Sequence, residues 1–315
     1  GFVGSRLANY LGKQFPEMDL RLAVRHQPNG LETPGILPKG SIEVVGDINP
    51  HTNWTNALEG VDVVIHLAAR VHVMNDVALD PLEEYRKANT LATIHLAEQA
   101  AQAGVKRFIY LSSIKVNGEE TMPGQAYSED SNPAPIDPYG VSKWEAELGL
   151  EKVCNQTGME FVIIRPPLIY GPGVKANFER LMGLVAKGLP LPLGAIRNQR
   201  SMLALDNAVS FITEVMTNPM AANQRFLLSD GQDVSTTQLL KLLAKGMGKS
   251  PWLIPVPSFI LRMLANLLGA SAAADRLLGS LQIDSNKARQ LLQWQPPLSV
   301  EAGIALAAQD YLSKS

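Results

Sequence analysis

Tyr139 and Lys143 stand four residues apart, within the run Asp137-Pro138-Tyr139-Gly140-Val141-Ser142-Lys143-Trp144. Asp137 suits a helix N-cap and Pro138 the first helical position, so the spacing predicts a helix that runs to about Gly158. Val141, Trp144 and Leu148 mark its expected buried face. On such a helix the phenol and the ammonium lie on one side, one turn apart. A free tyrosine has a pKa of about 10 and is a poor acid or base at neutral pH. A neighbouring ammonium favours the phenolate, which would let Tyr139 exchange a proton with an alcohol or a ketone. Two ordinary helix-surface residues are the alternative.

That pair needs a scaffold, and the preceding sequence provides one. Strands are expected at residues 20–24, 42–45, 61–69 and 108–111, separated for the most part by helical patterns, the clearest at 82–103. Apolar strands alternating with helices imply a doubly wound parallel sheet of Rossmann type with helices on both faces. Ligands of such sheets sit beyond the carboxyl ends of the strands, where Arg25, Asp47, Ala68, Ala69, Ser112 and Ser113 fall. The serines could equally just end a strand. At the start, Gly1 and Gly4 precede an apolar helical pattern at Leu7, Tyr10 and Leu11, like the tail of a dinucleotide fingerprint. We expect about ten further residues ahead of Gly1, a first strand and the opening of a glycine turn. Arg25 follows the second strand, where NAD-binding chains usually offer a carboxylate and an arginine suits a 2′-phosphate. It favours NADP over NAD, with a solvated strand-end charge as the alternative.

The bulk numbers narrow the class. The chain has 315 residues, 46% of them hydrophobic, enough for one large domain or two. A net charge of −2 leaves no basic footprint for nucleic acid. The single Cys154 excludes an internal disulfide framework and fits a reducing, cytoplasmic setting. The five histidines form no metal-ligand spacing, so no metal is expected. The most apolar stretch, residues 252–270, contains Pro255, Pro257 and Arg262 and makes a poor membrane span.

In order along the chain occur Gly1-x-x-Gly4, His66-Leu67-Ala68-Ala69, Leu111-Ser112-Ser113, Tyr139-Gly140-Val141-Ser142-Lys143 and Arg165-Pro166-Pro167, then Tyr170-Gly171-Pro172-Gly173. This ordered set resembles the extended short-chain dehydrogenases/reductases of the nucleotide-sugar epimerase/dehydratase group, over nearly the whole chain. The resemblance implies a catalytic trio. Ser113 would hydrogen-bond the reacting oxygen, Tyr139 would move the proton, and Lys143 would bind the nicotinamide ribose and tune Tyr139. It places the dinucleotide against Gly1, Phe2, Val3, Gly4, Arg25, Asp47, Ile48, Leu67, Ala68, Ala69, Asn89, Ser112, Tyr139, Lys143 and Pro166. Dehydratases of the group carry an Asp-Glu pair after the catalytic hydroxyl residue; here Ile114 and Lys115 stand there, which argues against a 4,6-dehydratase. Lys115 could instead meet a substrate phosphate or sugar hydroxyl, or be a solvated loop residue.

Residues 114–136 form a long polar loop between Ser113 and Tyr139, expected to border the substrate. The dinucleotide domain is expected at 1–170 and a smaller mixed α/β substrate lobe at 171–315, with some chain returning to the main sheet. By the resemblance, Asn177, at the start of a helix ending near Gly188, meets the substrate diphosphate. Leu191 belongs to a short strand beside the base, and Arg200 clamps the diphosphate. Ser201 departs from the group's Arg-Asp pattern at that point. The tail reads as a strand at 226–228, helices at 236–247 and 257–269, and a closing helix after Ser299. The expected activity is hydride transfer at C4 of a UDP-linked hexose. A 4-keto-sugar reductase comes first, a 4-epimerase with tightly held NAD second, and a non-catalytic dinucleotide-binding module is the remote alternative. A homodimer is expected through helices 82–103 and 138–154, with neither membrane nor nucleic acid as a partner.

Overall fold

The computed structural model describes residues 1–27, 40–71, 80–122 and 124–314; Pro123, inside the predicted polar loop, lies outside them. The first half alternates helix and strand: α1 (Phe2–Gln14), β1 (Leu20–Val24), β2 (Gly40–Val44), α2 (Thr55–Leu58), β3 (Val63–His66), α3 (Pro81–Tyr85), α4 (Ala92–Gln102), β4 (Arg107–Leu111), α5 (Pro138–Thr157) and β5 (Glu160–Arg165). The second half holds β6 (Leu168–Tyr170), α6 (Ala176–Ala186), β7 (Met202–Ala204), α7 (Leu205–Thr217), β8 (Gln224–Leu227) and α8 (Thr236–Gly246). It closes with α9 (Ser258–Leu267), α10 (Ser271–Leu278), α11 (Asn286–Leu292) and α12 (Val300–Ser313).

Strands β3, β4, β5 and β8 form one parallel sheet in that order, and β1 pairs with β2 in parallel. Alternate residues of the central strands enter opposite cores, as the two-residue period of a strand requires. Phe108, Tyr110, Phe161 and Ile163 pack with Leu96 and Ala100 of α4 and Leu150 and Val153 of α5. Ile109, Val162, Ile164 and Phe226 pack on the other face with Leu7 and Leu11 of α1 and Phe211 and Val215 of α7. Helices therefore cover both faces, as expected for a Rossmann-like sheet. A third core, around Tyr170, Phe178, Leu240, Leu243 and Ile304, belongs to the second half. Strand β8 returns from that half to pair with β5.

Three expectations need correction. Strand β5 was not anticipated, although it lies at the sheet centre and is buried from Phe161 to Arg165. The third strand stops at His66, and Ala68 and Ala69 leave the sheet. The helix expected at 82–103 is continuous but not uniform. Residues Arg86–Leu91, between α3 and α4, are wound as a π-helix, which takes in one extra residue and is common at functional sites.

Helix α5 begins as its sequence dictates. Asp137 Oδ1 accepts the Gly140 N–H at 2.7 Å, Pro138 takes the first turn, and Gly158 closes the helix in the left-handed conformation. Its buried face is not the predicted one. Leu148 is 47% exposed, whereas Ser142, Lys143, Ala146, Glu147 and Leu150 are buried. A polar stripe faces inward because every member finds a partner there, which offsets the cost of removing it from water.

The polar loop after β4 is tied down. Ile114–Val116 form a 3-10 turn capped by Ser113 Oγ, and Tyr127 exchanges backbone bonds with Gln282 and Asp284. Glu129 Oε1 caps the end of β8 by accepting the Leu227 N–H at 2.8 Å. The loop thus fastens the first half of the chain to residues 280–284. Among the described residues, no helix is long and apolar enough to cross a membrane.

Candidate active site

Beyond the carboxyl ends of β3 and β4, Ser113, Tyr139 and Lys143 come together. The Ser113 hydroxyl stands near enough to the Tyr139 phenol to favour its ionised form, and Tyr85 packs edge-on against the same ring at 6.2 Å. The Lys143 ammonium donates to the Leu111 carbonyl at 2.8 Å. It lies 4.5 Å from the centre of the Tyr110 ring and 5.9 Å from that of Tyr139. Lys143 is only 1% exposed. Burial drives its ammonium down to about 7, with Glu147 pulling in the opposite direction.

The expected acidification of Tyr139 is not what these contacts give. Burial first, then the Asp137 charge, push the phenol up to about 12, and the nearby Ser113 hydroxyl opposes them. The Lys143 ammonium is turned toward Leu111 and Tyr110 rather than toward the phenol oxygen. Tyr139 thus stays a neutral phenol at neutral pH.

Beneath the trio lies a buried polar cluster that the sequence reading did not foresee. Glu147 is fully buried, and Arg165 grips it with Nε 3.0 Å from Oε1 and Nη2 2.5 Å from Oε2. Ser112 Oγ donates to Glu147 Oε1 at 2.5 Å, and Arg165 Nη1 donates to Asn117 Oδ1 at 3.0 Å. Ser112 thus anchors β4 to α5 rather than presenting its hydroxyl to a cleft. The missed signal was a second four-residue step along α5, from Lys143 to Glu147. Another buried neighbour is His66, stacked on Tyr110 at 5.7 Å with Nε2 3.0 Å from Thr93 Oγ1. Burial, then the Lys143 charge, push its imidazole down to about 3, so it stays neutral.

Of the residues expected to hold the dinucleotide, the first turn of α1 suits that group best. Helix α1 starts with its N-cap at Gly1, without a side-chain cap or an acidic residue in its first turn. The first turn of this 13-residue helix carries the positive end of its dipole, which suits an anion. At Gly4 a methyl would come 3.7 Å from Leu67. Phe2 is exposed and Val3 half-buried on the same turn, Ile48 is half-buried beyond β2, and Pro166 is buried just past β5. Asn89 acts indirectly. Its amide bonds the backbone N–H and carbonyl of Arg70 at 2.8 and 3.0 Å and Ser142 Oγ at 3.0 Å, fixing the backbone that follows Ala68 and Ala69. Arg25 pairs with Asp47, both side chains about two-thirds exposed.

The expected substrate residues are more scattered. Lys115 is engaged by Asp137 and, at 2.8 Å, by Glu119, rather than free for a phosphate. With Ile114 buried beside it, no acid pair follows Ser113. Asn177 is exposed in the first turn of α6. Leu191 is buried and bridges Leu253. Arg200 bridges Val234 and Leu281 through its backbone, and its guanidinium donates to the Gly279 carbonyl at 3.1 Å. A cavity of about 580 Å³ opens along residues 194–199, between Leu191 and Arg200, with Asp233 and Gln238 on its wall. The departure at Ser201 is made good from elsewhere: its hydroxyl donates to Asp233 Oδ1 at 2.5 Å and accepts the Ile283 N–H at 2.9 Å.

Residues 1–228 match the model of the NAD dependent epimerase/dehydratase family. The chain belongs to this family. Within it, the chain is 45% identical over 313 residues to a UDP-glucose 4-epimerase of Vibrio cholerae, covering 99% of this chain and 93% of that one. It is 29% identical over 272 residues to an N-acetyl-α-D-glucosaminyl-diphospho-ditrans,octacis-undecaprenol 4-epimerase of Escherichia coli O157:H7, covering 85% of this chain and 75% of the other. The fold is shared with the UDP-glucuronic acid 4-epimerase of Bacillus cereus solved with NAD. That match has a TM-score of 0.76 and 22% identity over 99% of this chain and 94% of the other. The dinucleotide of the family is NAD. The leaning toward NADP drawn from Arg25 gains no support, since that guanidinium is taken up by Asp47.

Proposed function

We propose that this chain is a UDP-hexose 4-epimerase that keeps NAD bound through its cycle. The observation that carries the reading is the 45% identity, over nearly the whole length, to a protein named UDP-glucose 4-epimerase. It displaces the 4-keto-sugar reductase that the sequence alone put first, because the argument for a consumed NADPH rested on Arg25.

The roles follow from placement. Ser113 and Tyr139 bracket the C4 oxygen of the sugar; the serine orients it and the phenol exchanges its proton. NAD, held along the residues named above, would supply hydride-transfer chemistry at C4. Lys143, fixed by the Leu111 carbonyl, contributes the positive charge that favours the phenolate when the hydroxyl proton leaves. The N-terminal turn of α1, with Gly1 and Gly4, receives the pyrophosphate of the dinucleotide. Residues 1–170 hold the dinucleotide, and 171–315 hold the UDP-sugar along Asn177, Leu191 and Arg200. Leu91 and Leu148, 50% and 47% exposed on the outer face of the helical layer, support a homodimer formed there. The lone Cys154, buried and unpaired, accords with a cytoplasmic setting.

The test uses purified protein with UDP-galactose and UDP-N-acetylglucosamine and no added cofactor. Appearance of the C4 epimer is expected. A requirement for NADPH together with a 4-keto sugar would return the reductase. Tyr139→Phe should lower turnover by about 10²–10⁴-fold while retaining the extractable dinucleotide. Unchanged turnover in that variant removes the proposed role of the phenol.

A further inference from the structure

Tyr139, Lys143 and Glu147 follow one another at four-residue steps, so their side chains leave α5 on one side. Lys143 and Glu147 are 1% and 0% exposed. Arg165, equally buried on β5, takes both oxygens of the Glu147 carboxylate, and Ser112 of β4 takes one of them again. From β8, Arg225 comes within 3.9 Å of Oε2 while pairing with Glu151. Arg165 thus grips the buried anion directly, while Lys143 stands one helical turn from it, its ammonium on the carbonyl of Leu111, the residue before Ser112. A charge so far from water persists only in proportion to the counter-charge that reaches it.

The geometry points to Glu147 as a positioning residue for the proton-transfer pair: its carboxylate, bonded to Arg165 and Ser112 one helical turn from Lys143 and beside the Leu111 carbonyl that holds the ammonium, is the buried counter-charge of Lys143. The other groups around Lys143 do not supply a negative charge at neutral pH. Tyr110 on β4 lies under the ammonium with its phenol pushed up by burial, and Tyr139 on α5 is pushed up likewise. His66 on β3 is neutral, and Arg165 on β5 is a cation. Burial brings Lys143 to about 7, and the Glu147 charge is what opposes that fall. Removing the Glu147 charge lowers the midpoint further and leaves Lys143 mostly an amine at neutral pH. Removing Arg165, its competitor for the carboxylate, acts in the opposite direction. A role in packing alone would not give shifts of opposite sign.

The consequence for catalysis rests on the assignment of Tyr139 and Lys143 made above, but the charge on Lys143 can be read without turnover. The purified protein, carrying whatever dinucleotide it retains, is labelled with [ε-¹³C]lysine. The Lys143 signal is assigned by its loss in Lys143→Arg and titrated by NMR. Glu147→Gln should move the midpoint down by at least about one pH unit, a tenfold change in acidity. Arg165→Gln should move it up, Glu147→Asp should restore it toward wild type, and Glu145→Gln, on the face that meets Arg86, should leave it in place. The alkaline limb of kcat/KM should follow the same order. If Glu147→Gln does not fold, the upward shift in Arg165→Gln carries the test alone. Midpoints that stay put while only the unfolding midpoint falls would overturn the inference. A shifted Lys143 signal in a protein that proves inactive on UDP-sugars would instead sink the functional reading and leave this one standing.

Discussion

Gly140→Ala probes how tightly the start of α5 is set against the loop that carries Ser113. A methyl there would lie 2.7 Å from the backbone oxygen of Lys115, 3.1 Å from Asp137 Oδ1 and 3.2 Å from Pro135 Cβ. Carbon–oxygen contacts in proteins settle at about 3.3–3.6 Å, so the Lys115 carbonyl must retreat by about half an ångström or more. Alanine gains about 1 kcal/mol over glycine in helix propensity, whereas overpacking against a fixed neighbour costs about 1–3 kcal/mol. The obstacle is backbone, so the cost prevails and the variant is less stable by up to about 2 kcal/mol. Lys115 belongs to the 3-10 turn capped by Ser113, whose hydroxyl accepts its N–H at 3.2 Å. Any retreat there shifts Ser113 against Tyr139. A misplacement of about 1 Å can cost about 10² in rate, so half that displacement should lower kcat about tenfold. Urea unfolding and initial rates of UDP-galactose conversion measure the two effects. Gly149→Ala on the same helix is the control: there the methyl meets the Ile94 side chain, at 2.3 and 2.4 Å from Cδ1 and Cγ1, and not the backbone of the loop that carries Ser113. Its stability should also fall, by about 1–3 kcal/mol, with kcat unaltered. A Gly140→Ala protein as active as wild type and more resistant to urea would refute the reasoning.

Glu129 is held above the usual carboxylate range by burial, so the folded chain binds its proton more tightly than the unfolded chain does. Its contribution is fully present below the unfolded pKa and is lost as pH rises through the folded one. Glu129→Gln keeps an acceptor for the Leu227 N–H and should therefore gain on wild type as pH rises from 4 to 8, read as the difference in urea midpoints; a gain that grows as pH falls would contradict this. Arg25→Ala breaks an exposed ion pair with Asp47, which should cost less than about 1 kcal/mol. NAD retention, measured by absorbance of the extracted dinucleotide, should stay within about threefold of wild type, which corresponds to less than 1 kcal/mol. A collapse of NADP binding with NAD untouched would instead reinstate the 2′-phosphate role.

Much of the scaffold was legible because its signals are local. The Asp137-Pro138 start and the Gly158 stop bound α5 as read, and Ser235 caps α8 through the reciprocal bonds with Gln238. The trio was legible from ordered motifs. What escaped depends on partners distant in sequence. Val141, Trp144 and Leu148 looked like the inner face of α5 because periodicity rewards apolar residues. The inner face in fact carries Lys143 and Glu147, whose charges are met by Arg165 from another element. Trp144 lies instead beneath two guanidinium groups, those of Arg165 and Arg225, at 5.4 and 6.0 Å. Strand β5 was hidden in the same way. Its arginine and the following prolines drew attention to the motif at its end rather than to the apolar run before it. Asn89 was placed at the dinucleotide, but only the fold could reveal that its amide is spent on Arg70 and Ser142.

The π-wound stretch between α3 and α4 makes chain length, as well as chemistry, a tolerant variable there. A π-wound segment takes up its extra residue without changing the direction its flanks face, so deleting the exposed Lys87 would let it relax to ordinary winding with α3 still in phase with α4. Arg86 would keep the Glu145 carboxylate it now meets at 2.7 Å, and Tyr85 would stay against the Tyr139 ring. Position 87 should accept almost any side chain, and even its removal, whereas the same deletion inside α4, where each residue turns the chain by about 100°, would not be absorbed.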